Sequence, residues 1–207
     1  MIGKFITFEG IEGGGKSTQI RLLAEWLGAE GREPVITREP GGTALGGEIR
    51  GLVLHASVQI APVAELLLYA ADRAQHMAEV VEPALAGGRF VLCDRHADSL
   101  VAYQAYGRGL DRTMVDDLNR LATRDRKPDL TLILDLEPAE GLARVGSRGK
   151  PDRLERETIA FHQRVRDGFL AIARAEPGRA VVLDARKPAD AIHQEILDRV
   201  KSLLIAV

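Results

Sequence analysis

Residues 10–17 read GIEGGGKS, and four glycines in eight positions leave the backbone free to take conformations closed to other residues. The flanks restrict the choice further. Residues 4–9 (KFITFE) are β-branched and aromatic and describe a buried strand. Ile20, Leu23, Ala24 and Leu27 then fall at i, i+3, i+4 and i+7, an amphipathic helix that closes near Gly31. A strand, a glycine-rich turn and a helix in that order place successive backbone N–H groups around one point. The helix N-terminus adds partial positive charge there.

Gly10, Gly15, Lys16 and Ser17 have the spacing G-x-x-x-x-G-K-[ST] in the strand–loop–helix context that gives it a mechanism. The lysine reaches the β/γ-phosphates of a nucleotide, and the serine hydroxyl offers an oxygen to Mg²⁺. The stretch Gly10, Ile11, Glu12, Gly13, Gly14, Gly15, Lys16, Ser17 and Thr18 is therefore expected to hold a nucleoside triphosphate with Mg²⁺, the loop alone leaving open which nucleotide it is.

Four more apolar runs read as strands: 34–38, 89–94, 130–136 and 180–185. Helical patterns cover 45–55, 62–86 and the C-terminal stretch, where Ile192, Ile196, Val200 and Leu203 share a face. Near-continuously apolar strands alternating with helices describe a parallel α/β sheet covered on both faces. No linker divides the chain, so a single domain over 1–207 is expected. GSRGKPDR (146–153) is too polar and too rich in glycine and proline for core, and is a candidate mobile flap.

Gross composition excludes some roles. The 207 residues carry a net charge of −2, so no broad positive field is available for nucleic acid. Cys93 is the only cysteine, which rules out an internal disulfide and fits a reducing cytoplasm. No run approaches the ~20 apolar residues that span a bilayer, and no signal-peptide pattern precedes the first strand. A cytoplasmic protein without membrane or nucleic-acid partners is expected.

The recipient of a phosphoryl group must be read elsewhere. Asp94, at the end of the third strand, can orient the Mg²⁺ shell, and Arg95 beside it can contact a phosphate. FEGIEGGGKSTQ (8–19), TREPGGT (37–43), YAADR (69–73), DRHADSLVAYQAYGRG (94–109) and PDRLERE (151–157) follow in order. Together they resemble the thymidylate kinase family, over essentially the whole chain. That resemblance implies a P-loop NTPase-type three-layer α/β/α fold with a five-stranded parallel sheet and a mobile lid over about 144–156. It also implies phosphorylation of dTMP to dTDP by Mg-ATP, and a homodimer packed through helices, with 65–71 and the region of Leu52–His55 as candidate faces.

The resemblance carries roles onto positions of this chain. Glu12 lies near the acceptor's sugar 3′-hydroxyl, with Tyr103 close to the sugar. Arg38, Arg73 and Arg95 surround the acceptor phosphate, which guanidinium groups grip bidentately without losing their charge. Tyr69 stacks on the base, while Arg50 and Gln104 bond its edge; Ser99 joins the substrate set. Residue chemistry alone leaves plainer readings: Tyr69 as core, Arg73 paired with Asp72 or Glu65 on its helix. His96 replaces the aromatic residue common after Asp-Arg and is expected to be a neutral imidazole without a proton-transfer role. Leu100 stands where many members carry a polar side chain, which shifts base recognition to Gln104 and Arg50.

The loop stretch Ile11-Glu12-Gly13-Gly14 has no cation of its own. Charge developing on the transferred phosphoryl group must be met from outside, beyond Lys16 and Arg95. The flap supplies Arg144, Arg148, Lys150 and Arg153, of which Arg148 and Arg153 are expected to be catalytic. Two alternatives stay open: a kinase for another pyrimidine monophosphate such as dUMP or a modified base, and an ATP-binding switch without a small acceptor.

Overall fold

The computed structural model describes residues 3–55, 58–146 and 152–205. Five strands, β1 (Phe5–Glu9), β2 (Val35–Arg38), β3 (Val91–Asp94), β4 (Leu130–Asp135) and β5 (Ala180–Asp184), form one sheet in the order β2-β3-β1-β4-β5, with every pairing parallel. The three middle strands are the near-continuous apolar runs. Phe5, Ile6, Thr7, Phe8 and Glu9 are all fully buried, and because alternate side chains point to opposite faces, both faces of β1 are covered. At the β2 edge the pattern alternates instead, and Ile36 is 58% exposed.

Nine α-helices are described. Helix α1 (Lys16–Ala29) starts directly from the glycine loop, and α2 (Ala44–His55) and α3 (Pro62–His76) pack together. The single helix expected over 62–86 is interrupted by a π-helical turn at Met77–Val81 before α4 (Glu82–Ala86). Pro83 has no N–H to give the carbonyl one α-turn earlier, and a widened turn accommodates its ring. Helix α5 (Ala97–Leu100) likewise runs into a π-helical stretch, Val101–Gly107, which packs against α8 (Ile159–Ala175). Helices α6 (Arg112–Thr123) and α7 (Pro138–Gly146) complete the set with α9 (Ala189–Ile205), which lies against α1. Side-chain caps start two of them: Asp111 accepts from the Met114 N–H, and Thr158 from the Phe161 N–H.

The expected lid divides. Its first residues, 144–146, end α7, and 152–156 form a turn, while 147–151, with Arg148 and Lys150, lie outside the described residues.

Helix α7 reaches the glycine loop through a reciprocal close approach. A Cβ on Gly13 (φ 75°) would stand 2.3 Å from the Gly141 carbonyl oxygen, and one on Gly141 would stand 2.4 Å from the Glu12 carbonyl oxygen. Both obstacles are backbone, so neither position tolerates a side chain without parting helix and loop. Gly141→Ala tests this. Alanine favours an isolated helix by about 1 kcal/mol, yet the variant is expected to melt at least ~2–4 °C lower, the shift that 1 kcal/mol makes in a chain of this length. An unchanged or raised Tm would remove the close approach.

Candidate active site

The loop sits at the C-terminal end of β1, between β3 and β4. Register places Phe8 opposite Asp94 on β3, so the loop and the end of β3 emerge side by side. Lys16 is 8% exposed and folds back on its own loop, its Nζ donating to the carbonyls of Gly10 (3.1 Å) and Ile11 (2.9 Å). Burial and the neighbouring Arg95 push the Lys16 ammonium down to about 8, against the pull of Asp94, Glu12 and Glu9. Ser17 Oγ donates to Asp94 Oδ2 at 3.4 Å. Two hard oxygen donors at adjacent loop ends are the donor chemistry that Mg²⁺ takes.

Arg95 occupies the junction beneath this loop. Its backbone is left-handed (φ 69°), a conformation that costs a non-glycine residue about 1–2 kcal/mol through its Cβ and is held by its N–H donating to Phe8 O at 2.9 Å. The guanidinium donates to Gly10 O (3.0 Å), Ser99 Oγ (3.3 Å) and Glu12 Oε1 (2.9 Å), and lies 5.1 Å from the centre of the Tyr103 ring. Tyr103 donates its hydroxyl to the same Glu12 oxygen. Burial alone would raise the Glu12 carboxyl; Arg95, His162, Lys16 and Tyr103 hold it far below the ordinary carboxylate range instead. Its second oxygen, Oε2, has no hydrogen-bond partner, with His162 Nδ1 3.5 Å away.

A second buried carboxylate organises the acceptor side. Glu39, 4% exposed, takes Arg73 on Oε2 (2.7 Å to Nη2, 2.8 Å to Nε) and both His76 Nδ1 (2.8 Å) and His96 Nδ1 (2.9 Å) on Oε1. A carboxylate only accepts, so each imidazole donates from Nδ1. His76 Nε2 pairs with Thr37 Oγ1 at 2.7 Å, and Arg73 also donates to Asn119 Oδ1 at 2.9 Å. These spacings are those of hydrogen bonds around a guanidinium–carboxylate pair, and the trio Glu39, His76 and His96 is accounted for without a metal ion. Arg73 thus pairs with Glu39, and with neither Asp72 nor Glu65. His96 is wholly buried and its imidazole is pushed down by burial, as expected of a neutral ring.

A third carboxylate, Glu65, is 1% exposed and gathers Gln104 Nε2 (2.7 Å), Arg108 Nε (3.1 Å) and Arg153 Nη2.

Between these groups lies a cavity of about 500 Å³. Its walls include Glu12, Arg38, Arg50, Tyr69, Arg73, Arg95, Ser99, Tyr103 and Gln104, so all nine expected acceptor-side residues come together. Gly13, Gly14, Gly15, Lys16, Ser17, Thr18 and Asp94 form its other end, while Gly10 and Ile11 contribute carbonyls beneath the loop. Arg50 donates to Pro40 O (2.9 Å), and burial together with nearby Arg38 lowers its pKa.

Arg153 differs from expectation. Its side chain turns to Glu65 and to Val53 O (2.8 Å), its N–H to Leu54 O (3.1 Å), and the cavity is lined by its neighbours Asp152, Leu154 and Glu155 instead. Among the described residues, a lid-region cation that reaches the loop is Arg144, which donates to Gly13 O (3.4 Å) and Ala185 O (3.2 Å) from the last turn of α7 and pairs with Glu140 (2.5 Å). Glu39 and His162 were not foreseen, and Glu65 was foreseen only as a helix partner for Arg73. Two carried a signal: Glu39 lies inside REPGGT, and Glu65, Tyr69 and Arg73 recur every four residues on one face of α3.

A parallel sheet of this order, with a phosphate loop after the central strand and an arginine-lined pocket facing it, defines a P-loop phosphotransferase fold with a separate acceptor site. The chain belongs to the thymidylate kinase family, whose model matches residues 8–196. It is 55% identical over 202 residues to a thymidylate kinase of Gloeobacter violaceus, covering 97% of this chain and 95% of that one. It is 53% identical over 196 residues to a thymidylate kinase of Carboxydothermus hydrogenoformans, covering 95% and 96%. The crystal structure of thymidylate kinase from Ehrlichia chaffeensis superposes with a TM-score of 0.80 at 36% identity, over 97% of this chain and 100% of that one.

Glu39→Gln keeps the shape of the cluster and removes its charge, leaving Arg73, 2% exposed, without a counter-ion. Urea unfolding at pH 7 is expected to show a loss of roughly 3–5 kcal/mol. Because Arg73 and the two imidazoles hold Glu39 well below its ordinary value, the wild-type advantage is full above the normal carboxylate range. It shrinks as pH falls through the folded-state value. Equal stability of the two proteins at pH 7 would remove Glu39 as the anchor of Arg73.

Proposed function

We propose that this chain transfers the γ-phosphoryl group of ATP to dTMP, giving dTDP and ADP, with each nucleotide at one end of the cavity. The observation that carries the reading is the junction: Lys16 and Arg95 donate to the same carbonyl, Gly10 O, between the phosphate loop and the arginine-lined pocket. Cations there neutralise oxygens of both nucleotides where they meet. An oxygen of the dTMP phosphate attacks the γ-phosphorus as the bond to the β,γ-bridging oxygen breaks, and ADP leaves with that electron pair. The attacking phosphate is already ionised, its second pKa being near ~6, so the site needs no general base.

In this reading Glu12, at the cavity wall, accepts from the sugar 3′-hydroxyl, and Arg38 and Arg73 grip the acceptor phosphate. Ser17 and Asp94 are the residues that would hold Mg²⁺, which supplies charge neutralisation on the donor phosphates when bound. Exposed Leu52 (54%), Val63 (46%) and Leu67 (50%) on α2 and α3 support a homodimer through that face. The unpaired buried thiol of Cys93 supports a cytoplasmic setting, and no described helix is long and apolar enough to cross a membrane.

ADP release in a coupled assay tests the activity. With Mg-ATP, dTMP is expected to drive turnover that ATP alone does not; slow hydrolysis indifferent to dTMP would sink the reading in favour of a switch. The placement of Arg144 gives a second test. Arg144 does not line the cavity and must leave Gly13 O to reach the transferred group; on that reading Arg144→Ala is expected to lower kcat by ~10² or more. Arg153→Ala is expected to act mainly through the KM for dTMP. The reverse pattern would return the catalytic role to Arg153.

A further inference from the structure

Two buried polar atoms at the wall of the acceptor cavity, Gln104 Oε1 and Tyr69 Oη, have no hydrogen-bond partner. A buried unsatisfied polar group costs about 1–3 kcal/mol, so such atoms mark where a ligand completes the site. The orientation of the Gln104 amide is not a free choice. Its Nε2 lies 2.7 Å from Glu65 Oε1, and Glu65 is held ionised by Gln104, Arg108 and Arg153 against the effect of its burial. An ionised carboxylate only accepts, so it must face the NH₂ end of the amide. The flipped amide would set its carbonyl against a carboxylate.

We propose that Glu65 is the positioning residue for pyrimidine choice: by locking the Gln104 amide, it presents an acceptor oxygen to the base and so selects bases that carry an N3–H. This rests on the function proposed above. Thymine and uracil offer N3–H between two carbonyls, and the second hydrogen of Gln104 Nε2 can serve one of those carbonyls. Cytosine has an unprotonated N3 that needs a donor, and the locked amide offers oxygen there. The discrimination is electrostatic and sits one residue behind the base. Glu65 itself is not among the residues that line the cavity.

Glu65→Gln removes the lock, since a glutamine satisfies either orientation of its neighbour. The measurement is kcat/KM for dTMP, dUMP and dCMP, with Tm as a check on folding. The dTMP-to-dCMP ratio is expected to fall by about tenfold or more, the scale of one hydrogen bond to a buried group. The dTMP-to-dUMP ratio is expected to stay, because those bases share the edge that Gln104 reads. An equal fall for all three substrates, or no change in the first ratio, would overturn the proposal. If Glu65→Gln does not fold, Gln104→Leu leaves the Glu65 ion pairs in place and must lower the same ratio; retention of full dCMP rejection there overturns it equally. Failure of the wild-type protein to phosphorylate dTMP is a different outcome, and would remove the function rather than this refinement of it.

Discussion

Buried carboxylates keep the cations of this site together. Arginine side chains crowded around one cavity repel each other and, left alone, would splay into solvent. Here Arg73 is held on Glu39, Arg95 on Glu12, and Arg108 with Arg153 on Glu65, each carboxylate nearly or wholly removed from water. Desolvated pairs of this kind add little net stability, and removing one partner is costly because it strands the other. Their value is positional. Guanidinium groups fixed before a phosphate arrives need no reorganisation when it does, which is the condition under which electrostatic stabilisation is largest.

The sheet determines where those pairs meet. Strand order puts β1 between β3 and β4, so the loop after β1 and the Asp94-Arg95 step after β3 leave the sheet as neighbours. Arg95 then turns into a left-handed conformation that aims its side chain back under the loop toward Gly10 and Glu12. Helix α7 presses on the loop's other side through Gly13 and Gly141, and brings Arg144 with it. The phosphate loop is thereby gripped from two directions by elements distant in sequence.

Much of this was legible in the chain. The five strands agree with the apolar runs to within two residues, because a strand buried on both faces has almost no compositional alternative. The acceptor-side residues named from the motifs do line one cavity. The helices at 112–123, 138–146 and 159–175 were not read, although Phe161, Val165 and Phe169 recur every four residues in the last. Polar members of the buried face, His162 among them, blur that pattern. The interruption at 77–81 follows from Pro83 and was available to a closer reading.

The sequence by itself determined the phosphate loop, the parallel sheet and the set of charged residues from which the site is built, because spacing and periodicity are local properties of a chain. Pairing between those charges was decided only by the tertiary structure. Arg73 had acidic neighbours on its own helix and took Glu39 from a loop; Arg153 had the composition of a phosphate ligand and turned to Glu65. Which carboxylate meets which guanidinium depends on where separate elements come to rest. The energy of each pair depends on how completely that packing removes it from water.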